Sequence, residues 1–171
     1  QSGYGGGVCI YFSSEYYDLK KLFSCSRESE ILAIFCELDF TKFNICAIYR
    51  PPACSKAHDL SIYRHKALEQ NATRIVAGDF NLPMHAASYN DIEPKHPILA
   101  SMKNEGFYQL IDFPTRPASG NILDLCFVAN DSSVADWSVT ATNLIPRCDH
   151  LQIRIEHEAP RPLKLIANMK L

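Results

Sequence analysis

Three groups of polar residues interrupt apolar runs and could together handle a phosphate group. Asp79 and Asn81 follow "RIVAG", Asp124 lies inside "ILDLCFV", and Asp149-His150 separates "LIPRC" from "LQIRI". Burying a carboxylate without a partner is costly, so acids at strand ends are paired, exposed or functional. A carboxylate with a nearby amide, a second beside a histidine and a third able to orient that histidine could hold a hard metal ion and position water.

Each group also has an ordinary structural explanation. Asp79 and Asn81 could form an Asx turn, which the backbone uses widely. Asp124 could pair with a nearby Arg or Lys. Asp149 and His150 could be a loop acid and a surface imidazole. The three groups together favour a hydrolytic site over three unrelated structural details.

The apolar pattern predicts the elements that position these residues. Strands are expected at 8–13, 31–39, 44–49, 74–78, 122–129, 138–142 and 151–156, and helices at 55–71 and 97–105. Pro97 and Gly106 are start and stop signals for the second helix. Strands outnumber helices, and hairpins mix with helical crossovers, which indicates an α/β domain of packed layers. We expect this domain to span 1–158 and a linker or tail to follow at 159–171.

Composition limits the class of protein. The 171 residues are 47% hydrophobic and 21% charged with a net charge of -2, as in an ordinary soluble globular domain. This balance excludes a global basic field for non-specific nucleic-acid binding. The seven cysteines are odd in number and form no CxxC pair, which favours a reducing intracellular compartment. No apolar run approaches transmembrane length, so we expect no membrane association.

Five motifs then carry a family resemblance, in order from Gly5 to about Ile155. They are "GGGVCIYF", "AIYRPP", "IVAGDFNLP", "DFPTRPASGNILDLCFV" and "CDHLQI". This set resembles the endonuclease domain of non-LTR (LINE-type) retrotransposons, in the exonuclease–endonuclease–phosphatase superfamily. The resemblance implies a four-layered α/β sandwich of the deoxyribonuclease I-like type. It also implies a Mg²⁺-dependent (or Mn²⁺-dependent) endonuclease that nicks double-stranded DNA to prime reverse transcription.

The resemblance implies a catalytic role for five residues. Asp79 would polarise or position the attacking water. Asn81 and Tyr49 would contact the scissile phosphate. His150 would act on the phosphate or the water, and Asp124 would hold its ring in one orientation.

The resemblance also implies binding residues and partners. Asp149 would be a metal ligand or a near neighbour of the metal. Thr115, Arg116 and Arg50 would contact DNA. A reverse transcriptase domain is expected C-terminal to this one in the parent polyprotein, and the site of action is expected to be intracellular and nuclear.

Two departures from the family pattern leave alternatives open. The family has an Asn and a metal-binding Glu upstream of the glycine-rich segment with which this sequence begins. We therefore expect an N-terminally truncated domain with weak or absent catalysis in isolation. Cys148 stands where the family usually has Ser. The alternatives are another phosphoesterase of the superfamily, acting on RNA, phosphoinositide or phospholipid, and a non-catalytic remnant.

Overall fold

The computed structural model describes residues 8–11, 18–25, 30–38, 41–52, 72–84, 96–129, 136–142, 148–157 and 163–167. These residues form nine strands and one helix. In chain order the elements are β1 (Asp18–Cys25), β2 (Glu30–Leu38), β3 (Thr41–Tyr49), β4 (Thr73–Met84), α1 (Pro97–Asn104), β5 (Tyr108–Gln109), β6 (Ile122–Ala129), β7 (Trp137–Thr142), β8 (Gln152–His157) and β9 (Leu163–Ala167). No helix in this part of the chain is long and apolar enough to cross a membrane.

The strands form two sheets. A six-stranded mixed sheet has the order β1-β2-β3-β4-β6-β5, and a three-stranded antiparallel sheet has the order β7-β8-β9. In the larger sheet β3 and β4 are parallel, whereas β4 and β6 are antiparallel. The carboxyl ends of β3 and β4 and the amino end of β6 therefore meet at one edge of the sheet, where functional residues of α/β sheets are commonly placed.

One hydrophobic cluster joins both sheets and α1. All eight residues of β6 are buried, so both faces of this central strand are covered. Ile153 and Ile155 of β8 belong to the cluster, while Arg154 between them is exposed, which is the two-residue period of a strand with one buried face. Ile98 and Met102 of α1 join the same cluster one helical turn apart. The polar edge of the larger sheet is thus attached to a packed core.

The cysteines of the central strands are part of this core. Cys46 in β3 and Cys126 in β6 are free and buried. Burial raises the pKa of each thiol to about 12, because the charged thiolate is disfavoured away from water. Both side chains therefore behave as small hydrophobic groups rather than as nucleophiles or metal ligands.

Several predicted elements are confirmed. The helix predicted at 97–105 is α1, and Gly106 follows it with φ 76°. His96 caps this helix, since its Nδ1 accepts a hydrogen bond from the backbone N–H of Ile98 at 3.3 Å. The strands predicted at 31–39 and 44–49 are β2 and β3, which pair antiparallel from Glu30↔Tyr49 to Leu38↔Thr41.

Other expectations need correction. Residues 8–11 do not form the strand predicted at 8–13, and β1 was not predicted because its apolar residues are interrupted by Lys20 and Lys21. Part of the segment predicted as a linker, Leu163–Ala167, is β9 and pairs with β8.

The predicted helix at 55–71 lies outside the described residues. The domain boundary at 158 stays a prediction.

Candidate functional site

Three adjacent strands place Tyr49, Asp79 and Asp124 in one row across the sheet edge. Tyr49 ends β3 and is the register partner of Asp79 in β4, and Asp79 is the register partner of Asp124 in β6. Asp79 is 6% exposed and Asp124 is 0% exposed, whereas Tyr49 is half-buried. Two buried carboxylates on neighbouring strands repel each other unless a positive charge or a proton lies near both.

The Asp79–Asn81 step contains an Asx turn. The Asp79 Oδ1 accepts a hydrogen bond from the backbone N–H of Asn81 at 3.0 Å. Asn81 has φ 47°, in the left-handed region that Asn adopts more easily than most residues. The Asx turn predicted as the structural explanation is therefore present. Asp79 still lies in one row with Tyr49 and Asp124.

His150 joins the row through Asp124. Its Nδ1 lies 2.7 Å from the Asp124 Oδ2, and both side chains are buried. The hydrogen bond that the protonated ring donates to Asp124 raises the pKa of His150 most; burial opposes the shift, and the charges of Asp124, Asp79 and Asp149 add to it. The net pKa is above the usual 6.5, so the imidazole keeps its proton to a higher pH than a free one.

The donor atoms of this row fit a divalent cation. Asp79, Asp124 and His150 each offer one ligand atom, and these atoms lie within 4.8 Å of one another. Among the described residues the buried Asp124 Oδ1 finds no hydrogen-bond partner, which is unfavourable for a carboxylate oxygen unless a cation meets it. Carboxylate oxygens suit Mg²⁺ and Mn²⁺, and an imidazole nitrogen is a further ligand for transition metals such as Mn²⁺.

Asp149 and Arg116 form an ion pair beside this group. The Arg116 Nη2 lies 2.7 Å from the Asp149 Oδ2, and the two side chains are 42% and 43% exposed. Among the described residues Asp149 is outside the group of three possible ligands; the family resemblance implied that it is a metal ligand or a near neighbour of the metal. The metal-binding role of Asp149 and the DNA-binding role of Arg116 stay predictions.

Thr115 connects the start of β6 with the segment that carries His150. Its Oγ1 accepts hydrogen bonds from the backbone N–H groups of Leu123 at 3.0 Å and Asp124 at 3.1 Å. Its carbonyl accepts the N–H of Leu151, the residue after His150, at 2.8 Å. Thr115 is 0% exposed, and its DNA-binding role stays a prediction. A Thr in a turn before a buried strand gives no sequence signal of these partners.

Arg50 is also buried, with 5% of its surface exposed. Its backbone N–H donates to the Asp79 carbonyl at 2.8 Å, and its Nη1 donates to the Phe80 carbonyl at 3.4 Å. The Asn81 Nδ2 donates to the Arg50 carbonyl at 2.9 Å. The Arg50 guanidinium therefore contacts the turn, and its DNA-binding role stays a prediction.

The sheet and its polar edge define a protein with the fold of the exonuclease–endonuclease–phosphatase class. The crystal structure of an endonuclease/exonuclease/phosphatase family protein from Bacteroides thetaiotaomicron matches with a TM-score of 0.52 and 11% identity, over 84% of this chain and 66% of that one. More narrowly, a sequence profile described as "Endonuclease-reverse transcriptase" matches residues 43–154. The chain belongs to the endonuclease–reverse transcriptase family.

Two further comparisons were a second solved structure and the curated proteins. A humanised Danio rerio TDP2 with 14 mutations matches with a TM-score of 0.47 and 9% identity, over 80% of this chain and 61% of that one. No curated protein matches the chain in sequence. The chain thus spans 66% and 61% of the length of these two solved structures.

Proposed function

We propose that this chain is the endonuclease module of a non-LTR retrotransposon and that it hydrolyses a phosphodiester bond of double-stranded DNA to prime reverse transcription. The buried group of Asp79, Asp124 and His150 carries the proposal. Membership of the endonuclease–reverse transcriptase family supports a nucleic acid as the substrate. A four-layered α/β sandwich of the deoxyribonuclease I-like type is part of the same proposal.

The proposed cofactor is Mg²⁺, which Mn²⁺ could replace. Asp79 and Asp124 would hold it, and Asp149 is the neighbouring carboxylate that the sequence prediction adds. Asp124 has one oxygen for His150 and one for the cation, because Oδ2 meets His150 while Oδ1 has no hydrogen-bond partner in the described part of the chain. When bound, the cation supplies positive charge at the phosphate and at the leaving oxygen.

The polar residues of the chain would act on water and phosphate. Asp79, held by its Asx turn, would orient the attacking water. In its protonated form, which the raised pKa favours, His150 would donate a hydrogen bond to a phosphate oxygen, where negative charge grows in the transition state. Asp124 would keep that ring in one orientation, as carboxylates do for functional histidines.

Two further residues would contact the same phosphate. Tyr49 ends β3 next to Asp79 in the register, and its hydroxyl would donate to a phosphate oxygen. The Asn81 side-chain amide has two hydrogens, and one of them is given to the Arg50 carbonyl. The second amide hydrogen would make the predicted phosphate contact.

The proposal extends to partners and location. Arg116 is the basic residue beside the site whose side chain is partly exposed, and we assign the DNA contact to it. A reverse transcriptase domain would follow in the parent polyprotein. The place of action would be the nucleus, where the target DNA is.

A plasmid-nicking assay tests the proposed function. The protein is the longest reading frame that contains these 171 residues, with the 171-residue chain beside it. We expect supercoiled plasmid to become nicked in Mg²⁺ and to stay intact in EDTA. His150→Ala should lower the rate by about 10²- to 10⁴-fold. Arg154→Gln, an exposed site away from the row, is the matched control.

The same assay separates the alternatives. Release of phosphate from a soluble ester without plasmid nicking would favour another phosphoesterase. Binding of Mn²⁺ and DNA with neither reaction would favour a non-catalytic remnant. Wild-type nicking by His150→Ala would contradict the assigned role of His150.

A further inference from the structure

We propose that Arg50 is a positioning residue that fixes the Asp79–Asn81 turn and thereby aims Asp79 and Asn81 into the site. Arg50 does not contact DNA in this assignment. The link to catalysis rests on the proposed function, whereas the link to the turn rests on hydrogen bonds and burial alone.

Three hydrogen bonds from one residue hold three consecutive residues of the turn. The Arg50 N–H bonds the Asp79 carbonyl at 2.8 Å, its Nη1 bonds the Phe80 carbonyl at 3.4 Å, and its carbonyl accepts the Asn81 side-chain amide at 2.9 Å. β3 therefore continues its contact with β4 for one residue beyond the last register pair, Tyr49↔Asp79. The main chain of Arg50 supplies two of these bonds and its side chain the third.

The turn needs this support because its backbone is unusual. Asn81 has φ 47°, which most L-residues avoid, and such conformations persist when the surroundings determine them fully. The Asx bond from Asn81 N–H to Asp79 Oδ1 fixes one side of the turn. The Arg50 guanidinium fixes the other side by holding the carbonyl of Phe80.

The chemistry of the guanidinium explains why this residue is an arginine. A buried guanidinium must satisfy several donors, and its planar fork reaches the Phe80 carbonyl in a geometry that a Lys ammonium would not reproduce. Phe80 is 0% exposed, so its carbonyl is held close to the packed core. A shift of this carbonyl would rotate the peptide groups that join Phe80 to Asp79 and to Asn81. The side chains of Asp79 and Asn81 would then change direction.

A test without DNA examines the turn directly. NMR spectra of the chain are recorded for the wild type, Arg50→Lys and Arg50→Gln, with Arg154→Gln as the exposed control. We expect both Arg50 variants to shift the backbone and side-chain amide signals of Asn81, and the control to leave them in place. In the wild type, the Arg50 guanidinium protons should exchange slowly with water. This last measurement needs no variant and holds if Arg50→Gln does not fold.

A second test separates positioning from DNA contact. Removal of a phosphate contact lowers the slope of log K against log salt concentration by about 0.9. We expect Arg50→Gln to keep this slope, and both Arg50 variants to lower the nicking kcat by about 10- to 100-fold. If Arg50 contacted phosphate, Arg50→Lys would keep most of the activity and Arg50→Gln would lose slope.

Each outcome decides the proposal. Unshifted Asn81 signals in both variants, or fast-exchanging guanidinium protons in the wild type, would overturn it. A lowered salt slope in Arg50→Gln would assign Arg50 to DNA instead. If the wild type binds DNA without nicking it, the proposed function fails, but the NMR result still decides the role of Arg50.

Discussion

Gly78 in β4 lies directly against the backbone of Ile48 in β3, its register partner, and a Cβ atom on residue 78 would overlap the Ile48 carbonyl oxygen. This glycine allows the two parallel strands to approach closely, one residue before Tyr49 and Asp79 end the pairing. The "GDFN" sequence therefore combines a packing requirement at its first position with polar groups at its second and fourth.

Gly78→Ala should reduce the free energy of unfolding by about 3 kcal/mol or more, since β3 cannot move away without breaking its pairing with β2. Urea unfolding followed by circular dichroism measures the change. Gly120→Ala is the matched control, because Gly120 has φ 68° but no atom lies within 4 Å of an added Cβ. Its cost should be about 1 kcal/mol, from the backbone conformation alone. Equal losses in the two variants would contradict the close approach.

The Asp124–His150 contact should be visible in the titration of His150. NMR should give a pKa above 6.5 in the wild type, because Asp124 stabilises the protonated ring. Asp124→Asn should lower that pKa, while the other histidine signals serve as internal references. An unchanged His150 pKa in Asp124→Asn would show that another group raises it.

The raised pKa also fixes the sign of a stability change with pH. A group that binds its proton more tightly when folded contributes stability that is fully present below its unfolded pKa. For His150 this contribution is present below about pH 6.5 and is lost as pH rises through the higher folded pKa. The stability difference between wild type and Asp124→Asn should therefore include a part that decreases as pH rises through this window.

Thr115 should prove to be a structural link between β6 and the His150 segment. Thr115→Val leaves the N–H groups of Leu123 and Asp124 buried without their acceptor, which should cost about 1–3 kcal/mol for each group. Thr115→Ser keeps the hydroxyl and should lose about 1 kcal/mol or less. Chemical unfolding compares the two variants, and the His150 ring signals should shift more in Thr115→Val.

Ser119→Ala is the control for Thr115, because the Ser119 hydroxyl bonds the Arg116 carbonyl at the exposed end of the same loop. Its effect should be within about 0.5 kcal/mol. If Thr115→Val were as mild as Ser119→Ala, Thr115 would not hold the site together.

Local sequence pattern was sufficient for the elements that carry their own signals. α1 has Pro97 at its start and Gly106 after its end. β6 is apolar in every position except Asp124. The pattern also indicated that Asp79, Asp124 and His150 are polar residues within or next to apolar strands. These features depend on residues that are close together in the chain.

Long-range partners could not be predicted in this way. The Asn81–Arg50 hydrogen bond joins residues 31 apart, and nothing local indicates that the Arg50 side chain turns inward to the Phe80 carbonyl. In the same way, the sequence could not show that Asp149 pairs with Arg116. β1 was missed because it combines Lys residues with apolar ones. These features depend on burial and on strand pairing in the folded protein, which a local sequence pattern does not contain.

Arg116 should contribute to DNA binding and little to stability. Its ion pair with Asp149 is partly exposed, and such pairs contribute about 0–1 kcal/mol. Arg116→Gln should therefore leave the unfolding free energy nearly unchanged. If Arg116 contacts one phosphate, the variant should also lower the salt slope of DNA binding by about 0.9, measured by fluorescence anisotropy over a salt series.

Arg154→Gln is the matched control for Arg116, since Arg154 is equally exposed and pairs with Glu156 on β8 rather than at the site edge. It removes the same charge and should leave the salt slope unchanged. A lowered slope in both variants would indicate a general effect of net charge. A lowered slope in Arg116→Gln alone would place the DNA backbone next to the Arg116–Asp149 pair, and an unchanged slope in both would remove Arg116 from the DNA-binding surface.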